Sequence, residues 1–285
     1  MQVLKFGGTS VANATNIQKV ISIVSETVKK DQTIVVVSAL GGVTDLLLDA
    51  GNMAASCNTQ YKEKLDIIEQ RHTECVQQLL SSGNSTVILD DVRTAIQEIK
   101  MLCEGIFMLG ELTLRSKDRL ASYGEKLSSM IIAHAFNDKH VAAVWKDSRE
   151  LIQTNSNFTN AAVDFSVTNK NIQSYFATSK ARLFVMPGFI ASDSKGVTTT
   201  LGRGGSDYTA AIYAAALDVE NLEIWTDVSG MMTADPRLSS NVRIIPHISY
   251  QEAMELSHFG AKVIYPPTIQ PVMKKGIPVW IKNTF

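Results

Sequence analysis

The chain has 285 residues, of which 45% are hydrophobic, enough for a substantial core in one large α/β domain or two smaller ones. Its 27 Lys and Arg residues are balanced by 28 Asp and Glu residues, so no excess positive charge exists to neutralise nucleic-acid or lipid phosphates. No long uncharged apolar stretch suggests a membrane-spanning helix. We therefore expect no nucleic-acid partner, no membrane partner and a cytoplasmic location.

Short runs of β-branched residues alternate along the chain with longer stretches of helical periodicity. These strand-like runs fall at residues 3–6, 33–38, 140–145, 182–186, 222–226 and 278–281. The alternation predicts a mainly parallel sheet with helices on both faces. Residues 59–137 contain no convincing strand and are predicted to form a helical insertion that could cover a pocket. The polar segment 154–171 is predicted to be largely loop before a short helix near 167–177.

The first candidate site follows the first predicted strand. Gly7 and Gly8 come directly after Lys5 and Phe6, and a helix is predicted to begin near Val11. Small residues let backbone N–H groups curl toward an anion, which the helix N-terminus also favours. The segment is neither a Walker A loop nor a dinucleotide fingerprint, and alone it is more typical of an ordinary tight turn than of an anion site. An ammonium in an apolar strand is costly to bury without an anion, so Lys5 favours the anion site.

Two further turns of small residues carry polar side chains. Thr44 follows the strand near 33–38, where its hydroxyl either caps the next helix or binds a substrate carboxylate or amine. Arg203, Ser206 and Asp207 stand among three glycines before a helix of small residues. Backbone donors, a guanidinium and a carboxylate within one turn favour a ligand site over a simple N-cap role for Asp207.

The fourth candidate segment, residues 225–237, leaves a predicted strand and places Asp227 at the strand's carboxyl edge. In open α/β sheets that edge is where ligands bind. The five histidines share no spacing with a Ser or Cys nucleophile, so surface or packing roles are expected for them.

At these four segments, and at residues 124–126 and 260–263, the chain resembles the amino-acid kinase family, specifically its aspartate kinases. The resemblance spans nearly the whole chain in the expected order. It is carried by Lys-Phe-Gly-Gly-Thr-Ser-Val at 5–11, Gly-Arg-Gly-Gly-Ser-Asp at 202–207, Trp-Thr-Asp-Val at 225–228 and Asp-Pro-Arg at 235–237. The chain is most similar to the kinase portion of bifunctional aspartate kinase/homoserine dehydrogenase, and the ACT and dehydrogenase regions of that family are absent from residues 1–285.

The resemblance implies a three-layer α/β sandwich with a mostly parallel, eight-stranded central sheet. Residues 1–285 would form a single domain, with an amino-acid lobe up to about residue 200 and a nucleotide lobe from about residue 201. The implied reaction moves the γ-phosphoryl group of ATP to the β-carboxylate of L-aspartate, giving 4-phospho-L-aspartate and ADP. This is the first step of lysine, threonine and methionine biosynthesis. The full-length protein is expected to be a homo-oligomer, and residues 1–285 are expected to lack a feedback-effector site.

The resemblance also implies roles for individual residues. Lys5 would hold the transferring phosphoryl group, and Asp207 would orient Lys5. The aspartate site would comprise Thr44, Glu125, Arg203 and Ser206. The ATP site would comprise Lys5, Gly7, Gly8, Ser10, Thr226, Asp227, Arg237 and Lys262. Mg²⁺ would arrive with ATP, bound largely by phosphates and water.

Two positions depart from the family pattern: Met232 replaces a frequent tyrosine, and Tyr265 replaces a histidine. Adenine stacking by an aromatic side chain at residue 232 is therefore excluded. The alternative function is a catalytically inactive nucleotide or amino-acid sensor of the same fold. The combined presence of Lys5, Arg203 and Asp207 argues against that alternative. Another kinase of the fold, for glutamate, acetylglutamate or uridylate, is disfavoured by Gly-Arg-Gly-Gly-Ser-Asp at 202–207 and by Gly124 and Glu125.

Overall fold

The computed structural model describes residues 1–234, 239, 241–259 and 263–285, so the predicted site residues Arg237 and Lys262 lie outside the described residues. The helices are α1 (Ala14–Lys30), α2 (Val43–Ala55), α3 (Tyr61–Leu79), α4 (Ser82–Leu109), α5 (Leu114–Asp138), α6 (Phe165–Thr178), α7 (Gly205–Ala216), α8 (Tyr250–His258) and α9 (Gln270–Lys275). The strands are β1 (Gln2–Phe6), β2 (Thr33–Val37), β3 (Ala143–Trp145), β4 (Gln153–Thr154), β5 (Leu183–Pro187), β6 (Ile190–Asp193), β7 (Thr198–Thr200), β8 (Leu222–Thr226) and β9 (Val279–Asn283).

Six strands form the main sheet, in the order β3-β5-β2-β1-β8-β9, and all neighbours are parallel. The strands β2, β3 and β5 lie on one side of β1, and β8 and β9, which come later in the chain, lie on the other side. The carboxyl ends of β1, β2 and β8 therefore surround the point where the strand order reverses, which is where open α/β sheets bind ligands.

The α/β fold class is confirmed, whereas the prediction of eight strands in the central sheet is wrong for the described residues. The described strands divide into the six-stranded sheet and a separate three-stranded sheet, β4-β6-β7. The division arises after β5. The next strand, β6, pairs in parallel with β4 and antiparallel with β7, and therefore does not extend the main sheet.

Two apolar cores lie on opposite faces of the main sheet. Along β1, Leu4 and Phe6 point into one core, and Val3 points into the other, because successive strand residues face opposite sides. The first core is closed by α1 to α5, and the second is closed mainly by α6, α7 and α9. Burial on both faces explains why β2 reads as the uninterrupted apolar run Thr-Ile-Val-Val-Val.

The predicted helical insertion is confirmed as α3, α4 and α5. The short helix predicted near 167–177 is α6, whose N-cap Asp164 accepts a hydrogen bond from the backbone N–H of Val167. No helix in the described part of the chain is long and apolar enough to cross a membrane.

Candidate active site

The side chains of Lys5 and Asp207 meet at the carboxyl end of β1. Lys5 Nζ lies 2.6 Å from Asp207 Oδ1, and the two side chains are only 11% and 15% exposed. Asp207 belongs to the first turn of α7, but the N-cap of that helix is Gly204. Asp207 is therefore not the N-cap of α7, and its carboxylate balances the charge of the nearly buried ammonium.

The turn after β1 (residues 7–12, the first turn) touches the turn after β2 (residues 38–42, the second turn). A Cβ on Gly41 would lie 3.1 Å from the Gly8 carbonyl oxygen, so a side chain there would push the two turns apart by a few tenths of an ångström. The backbone N–H groups of Gly8, Thr9 and Ser10 donate to no acceptor in the described ranges. These free donors beside a cation form a site suited to an anion.

The third turn (residues 201–204) leads into α7. Gly204 has φ +70°, a conformation that strongly favours glycine, and a Cβ there would lie 2.9 Å from Thr268 Cγ2. This turn aims the first residues of α7, including Ser206 and Asp207, toward Lys5.

Lys5 and residues of the second and third turns line a cavity of about 240 Å³, called here the Lys5 cavity. It is lined by Lys5, Ser38, Thr44, Glu125, Phe189, Gly202, Gly204, Gly205, Ser206 and Asp207. The structure thus brings together both predicted catalytic residues and three of the predicted aspartate-binding residues. The helical insertion contributes Glu125 from α5, which confirms the expectation that it covers a pocket.

Glu125 is the most unusual group in the Lys5 cavity. Its side chain is buried, and Oε2 has no hydrogen-bond partner in the described structure. Burial raises the pKa of Glu125 to about 8, although hydrogen bonds from the backbone N–H groups of Ala39 and Glu125 itself and the charge of Lys5 act in the opposite direction. A buried carboxyl oxygen without a donor is suited to a ligand that supplies one, such as an ammonium group.

Arg203 lies outside the Lys5 cavity, in an adjacent cavity of about 650 Å³ beside α8. Its guanidinium carbon is 5.2 Å from the ring centre of Tyr265, in a cation–π contact. This α8 cavity also contains Gly204 and Asp207, so the two cavities share a wall. Arg203 therefore stands at the boundary between them.

Of the predicted ATP-site residues that the structure describes, only Lys5 lines the Lys5 cavity, and five lie near this edge of the sheet outside it: Gly7, Gly8, Ser10, Thr226 and Asp227. The Ser10 hydroxyl is fully buried and lies 2.7 Å from the Thr284 hydroxyl oxygen, which leaves only its backbone N–H available. Thr226 is the last residue of β8 and Asp227 follows it, and the Thr226 hydroxyl donates to the Asp227 carboxylate at 3.1 Å. They stand beside the first turn, because the N–H of Gly7 donates to the Trp225 carbonyl at 3.1 Å.

Two residues of the Lys5 cavity were not predicted. Ser38 follows β2 within the second turn, so its position at a strand end was the signal available for it. Phe189 has φ +66°, and its N–H donates to the Thr209 hydroxyl oxygen at 2.9 Å. The preceding Gly188 marks this turn, but nothing in the sequence indicates that a phenylalanine there adopts a left-handed conformation.

No group of three or more His, Cys, Asp or Glu side chains within 1–234, 239, 241–259 and 263–285 is placed to hold a metal ion. The Lys5 cavity offers a cation, hydroxyls and backbone N–H groups, which are donors for phosphate oxygens. This donor set suits a phosphorylated ligand that brings its own cation.

The fold and this edge of the sheet define a class of phosphate-binding α/β enzyme, and comparison with known proteins identifies the class. Residues 1–283 match the amino acid kinase family. The chain belongs to the amino acid kinase family.

The most similar proteins found are aspartokinases. The chain is 37% identical to a bifunctional aspartokinase/homoserine dehydrogenase of Buchnera aphidicola, over 100% of this chain and 35% of that protein. It is 36% identical to aspartokinase 1, chloroplastic, of Arabidopsis thaliana, over 99% of this chain and 50% of that protein. The structure of E. coli aspartokinase III in complex with aspartate and ADP matches with a TM-score of 0.91 and 34% identity, over 100% of this chain and 62% of that chain. The chain thus spans about a third to two thirds of these relatives.

Proposed function

We propose that this chain is an aspartokinase catalytic domain, which transfers the γ-phosphoryl group of ATP to the β-carboxylate of L-aspartate. The products are 4-phospho-L-aspartate and ADP. The observation that carries the proposal is the Lys5 cavity, in which the Lys5–Asp207 pair faces Glu125, whose carboxyl oxygen Oε2 has no partner in the described structure. The cavity thus offers a cation for a phosphoryl group and an anion for an amino group. The aspartate and ADP named for E. coli aspartokinase III are consistent with this pairing.

The acceptor in this proposal is held by groups of opposite charge at its two ends. Glu125 accepts hydrogen bonds from the α-ammonium, and the hydroxyls of Thr44 and Ser206 donate to substrate oxygens. Arg203 clamps the α-carboxylate after its guanidinium moves from Tyr265 toward the Lys5 cavity. The β-carboxylate then faces Lys5.

The donor in this proposal is ATP, which enters with Mg²⁺ as a co-substrate. Its phosphates accept hydrogen bonds from the free N–H groups of Gly8 and Ser10 in the first turn, whereas the N–H of Gly7 remains bonded to the Trp225 carbonyl and fixes the start of that turn. Thr226 and Asp227, with Arg237 and Lys262 of the segments outside the described residues, complete the nucleotide site. The α8 cavity lies beside Asp207 and gives the polyphosphate a route to Lys5.

The chemistry follows from these groups without a general base. A carboxylate is ionised near neutral pH and is already a nucleophile, so its oxygen attacks the γ-phosphorus while the bond to the β-phosphate oxygen breaks. Lys5 stabilises the charge on the passing phosphoryl group, and Asp207 holds the Lys5 ammonium in place. Positioning and charge neutralisation supply the catalysis.

The proposal is tested by supplying MgATP and a panel of amino acids with hydroxylamine, which converts an acyl phosphate to a hydroxamate. We expect hydroxamate and ADP to form with L-aspartate and not with L-glutamate or L-asparagine. Turnover of another acceptor, without turnover of aspartate, would reassign the substrate.

The second candidate function is a catalytically inactive sensor of the same fold, which would bind MgADP or aspartate without releasing ADP. It is favoured only by the position of Arg203, which lies over Tyr265 rather than in the Lys5 cavity.

A cytoplasmic location and a homo-oligomeric full-length protein also belong to the proposal. Fractionation and light scattering test them, and the chloroplastic plant relatives show that location varies within this group.

A further inference from the structure

Arg71 belongs to α3, outside the sheet, yet its guanidinium reaches the first and second turns together. Its Nη2 donates to the Ala12 carbonyl oxygen in the first turn at 3.2 Å. Its Nη1 lies 4.0 Å from the position that a Cβ on Gly42 would occupy in the second turn. One side chain of the helical insertion is therefore bonded to the first turn and stands beside the second.

The two turns also touch each other beside Arg71. A Cβ on Gly41 would lie 3.1 Å from both the Ala12 Cβ and the Gly8 carbonyl oxygen. At such close range a shift of one turn displaces the other. The spacing of the N–H groups in the first turn thus depends on the side chains that fix the two turns relative to each other.

The packing of α3 fixes the backbone from which Arg71 projects. The next residue, His72, is fully buried, and its Nδ1 lies 2.7 Å from the Ile68 carbonyl oxygen. Burial lowers the pKa of His72 to about 4, so its ring is neutral at pH 7 and adds no second charge. Leu65 and Val76 anchor the same face of α3 in the core.

The positive charge of Arg71 has no acidic neighbour in the described structure. Across residues 1–234, 239, 241–259 and 263–285, no Asp or Glu oxygen forms an ion pair with it. A half-buried guanidinium that bonds only a carbonyl oxygen keeps its charge available to a nearby anion.

We propose that Arg71 is a positioning residue for phosphoryl transfer, which holds the first and second turns at the spacing that binds the polyphosphate of the nucleotide. The inference rests on the proposed function, since it takes a nucleotide polyphosphate as the ligand of the first turn. Arginine suits this role because its planar fork presents one nitrogen bonded to the first turn and another directed to the side of the second, whereas a lysine ammonium is a single point of attachment.

The test compares Arg71→Met, which keeps the apolar stem, with Arg71→Lys, which keeps the charge, and with the control Arg93→Met. Arg93 lies on the same insertion but is exposed and pairs only with Asp90. The readouts are amide hydrogen exchange of residues 7–12 and 38–44 without ligand, MgADP affinity by calorimetry, and the separate kcat and KM values.

For Arg71→Met we expect faster exchange in both turns, MgADP binding weakened about tenfold, and kcat lowered about ten- to hundredfold. The KM for aspartate should stay within about threefold, since Glu125 and Thr44 are retained. Arg71→Lys should recover part of the MgADP affinity while at least one turn still exchanges faster. Arg93→Met should match the parent.

Unchanged exchange and unchanged MgADP affinity in Arg71→Met would overturn the inference. If Arg71→Met does not fold, the inference is tested on Arg71→Lys alone. Exchange rates and an MgADP affinity equal to those of the parent would then show that the planar guanidinium is not needed, and would overturn the inference. Amide hydrogen exchange and MgADP binding are both measured without aspartate or any other phosphoryl acceptor. A parent protein that binds MgADP but forms no acyl phosphate with aspartate would therefore refute the proposed function while leaving this test intact.

Discussion

At the scale of single residues, the Lys5 ammonium is the group on which phosphoryl transfer depends most. We expect Lys5→Met to lower turnover by more than a thousandfold while MgADP affinity stays within about tenfold, because its charge matters most in the transition state. Hydroxamate formation measures turnover, and calorimetry measures binding. Lys29→Met is the control, since Lys29 pairs with Glu26 on the exposed side of α1. Turnover within tenfold of the parent would remove Lys5 from the catalytic role.

Glu125 makes stability depend on pH. Its pKa is about 8 in the folded protein and near 4.5 when unfolded, so between these values the folded state binds the extra proton. The contribution of Glu125 to the free energy of unfolding is therefore full below about pH 4.5 and is lost as pH rises through about 8. We expect Glu125→Gln to flatten this decline, which urea unfolding at pH 5, 7 and 9 measures. Equal pH slopes in parent and variant would contradict the raised pKa.

The same carboxyl should control aspartate binding. Glu125→Gln removes the anion for the α-ammonium and should raise the KM for aspartate about ten- to a hundredfold, with the KM for ATP nearly unchanged. In the parent, the KM for aspartate should fall as pH rises from 6 to 9, because the ionised form of Glu125 then dominates. A pH-independent KM would argue that Glu125 does not contact the substrate.

Arg203 distinguishes the two substrates. Arg203→Lys keeps the charge but loses the planar fork, so we expect it to raise the KM for aspartate much more than the KM for ATP. Initial rates with each substrate varied in turn measure both constants. Because Arg203 lies in the α8 cavity, an equal rise in both constants would assign it to the nucleotide instead.

At the scale of elements, the start of α7 is set by its contact with the turn after β5. A Cβ on Gly188 would lie 2.9 Å from the backbone Cα of Ser206, which cannot rotate away. We expect Gly188→Ala to destabilise the protein by about 1–3 kcal/mol and to reduce turnover, since Asp207 lies in the same helical turn. Gly105→Ala, in the exposed interior of α4 with free space around it, should instead stabilise by up to about 1 kcal/mol. Urea unfolding of both variants tests the contrast.

Strands were predicted best from the sequence where a single physical rule determines their position. The strands β2 and β8 were predicted almost to the residue. For β2 the signal was its apolar run, because parallel strands covered on both faces are rich in apolar residues. The strands β6 and β7 were not predicted: they are short, and β7 is the polar run Thr198–Thr200. Their pairing depends on tertiary contacts, such as the hydrogen bond from the Thr200 hydroxyl to Asp118.

The residues of the candidate site also differ in how far the sequence predicts them. Lys5 and Asp207 could be predicted, because a lysine in an apolar strand requires an anion and a carboxylate follows a turn of glycines. The placement of Arg203 over Tyr265 and the burial of the Ser10 hydroxyl against Thr284 could not, because both depend on partners distant in sequence. Arg71 carries no local signal either, since its contact with Ala12 spans 59 residues.

At the scale of the whole molecule, the main sheet joins two cores into one unit. Leu47 is fully buried in the first core and Ile212 nearly so in the second. We expect each alanine substitution to cost about 2–5 kcal/mol and the double variant to be additive within about 0.5 kcal/mol, since the sites lie on opposite sides of the sheet. Tryptophan fluorescence and circular dichroism should report a single transition in urea. Two separated transitions would show that the proposed lobes unfold independently.

The central place of β1 has a consequence for how the protein is made. Val3 pairs with Ile34 of β2 soon after synthesis begins, but its other neighbour is Leu222 of β8. At roughly 5–20 residues per second, a ribosome needs on the order of ten seconds or more to supply that second partner. For this interval one edge of the strand bearing Lys5 stays open, and an open edge of apolar strand is a template for pairing with other chains. The residue on which catalysis is proposed to depend thus lies on a strand that cannot be completed until most of the chain exists.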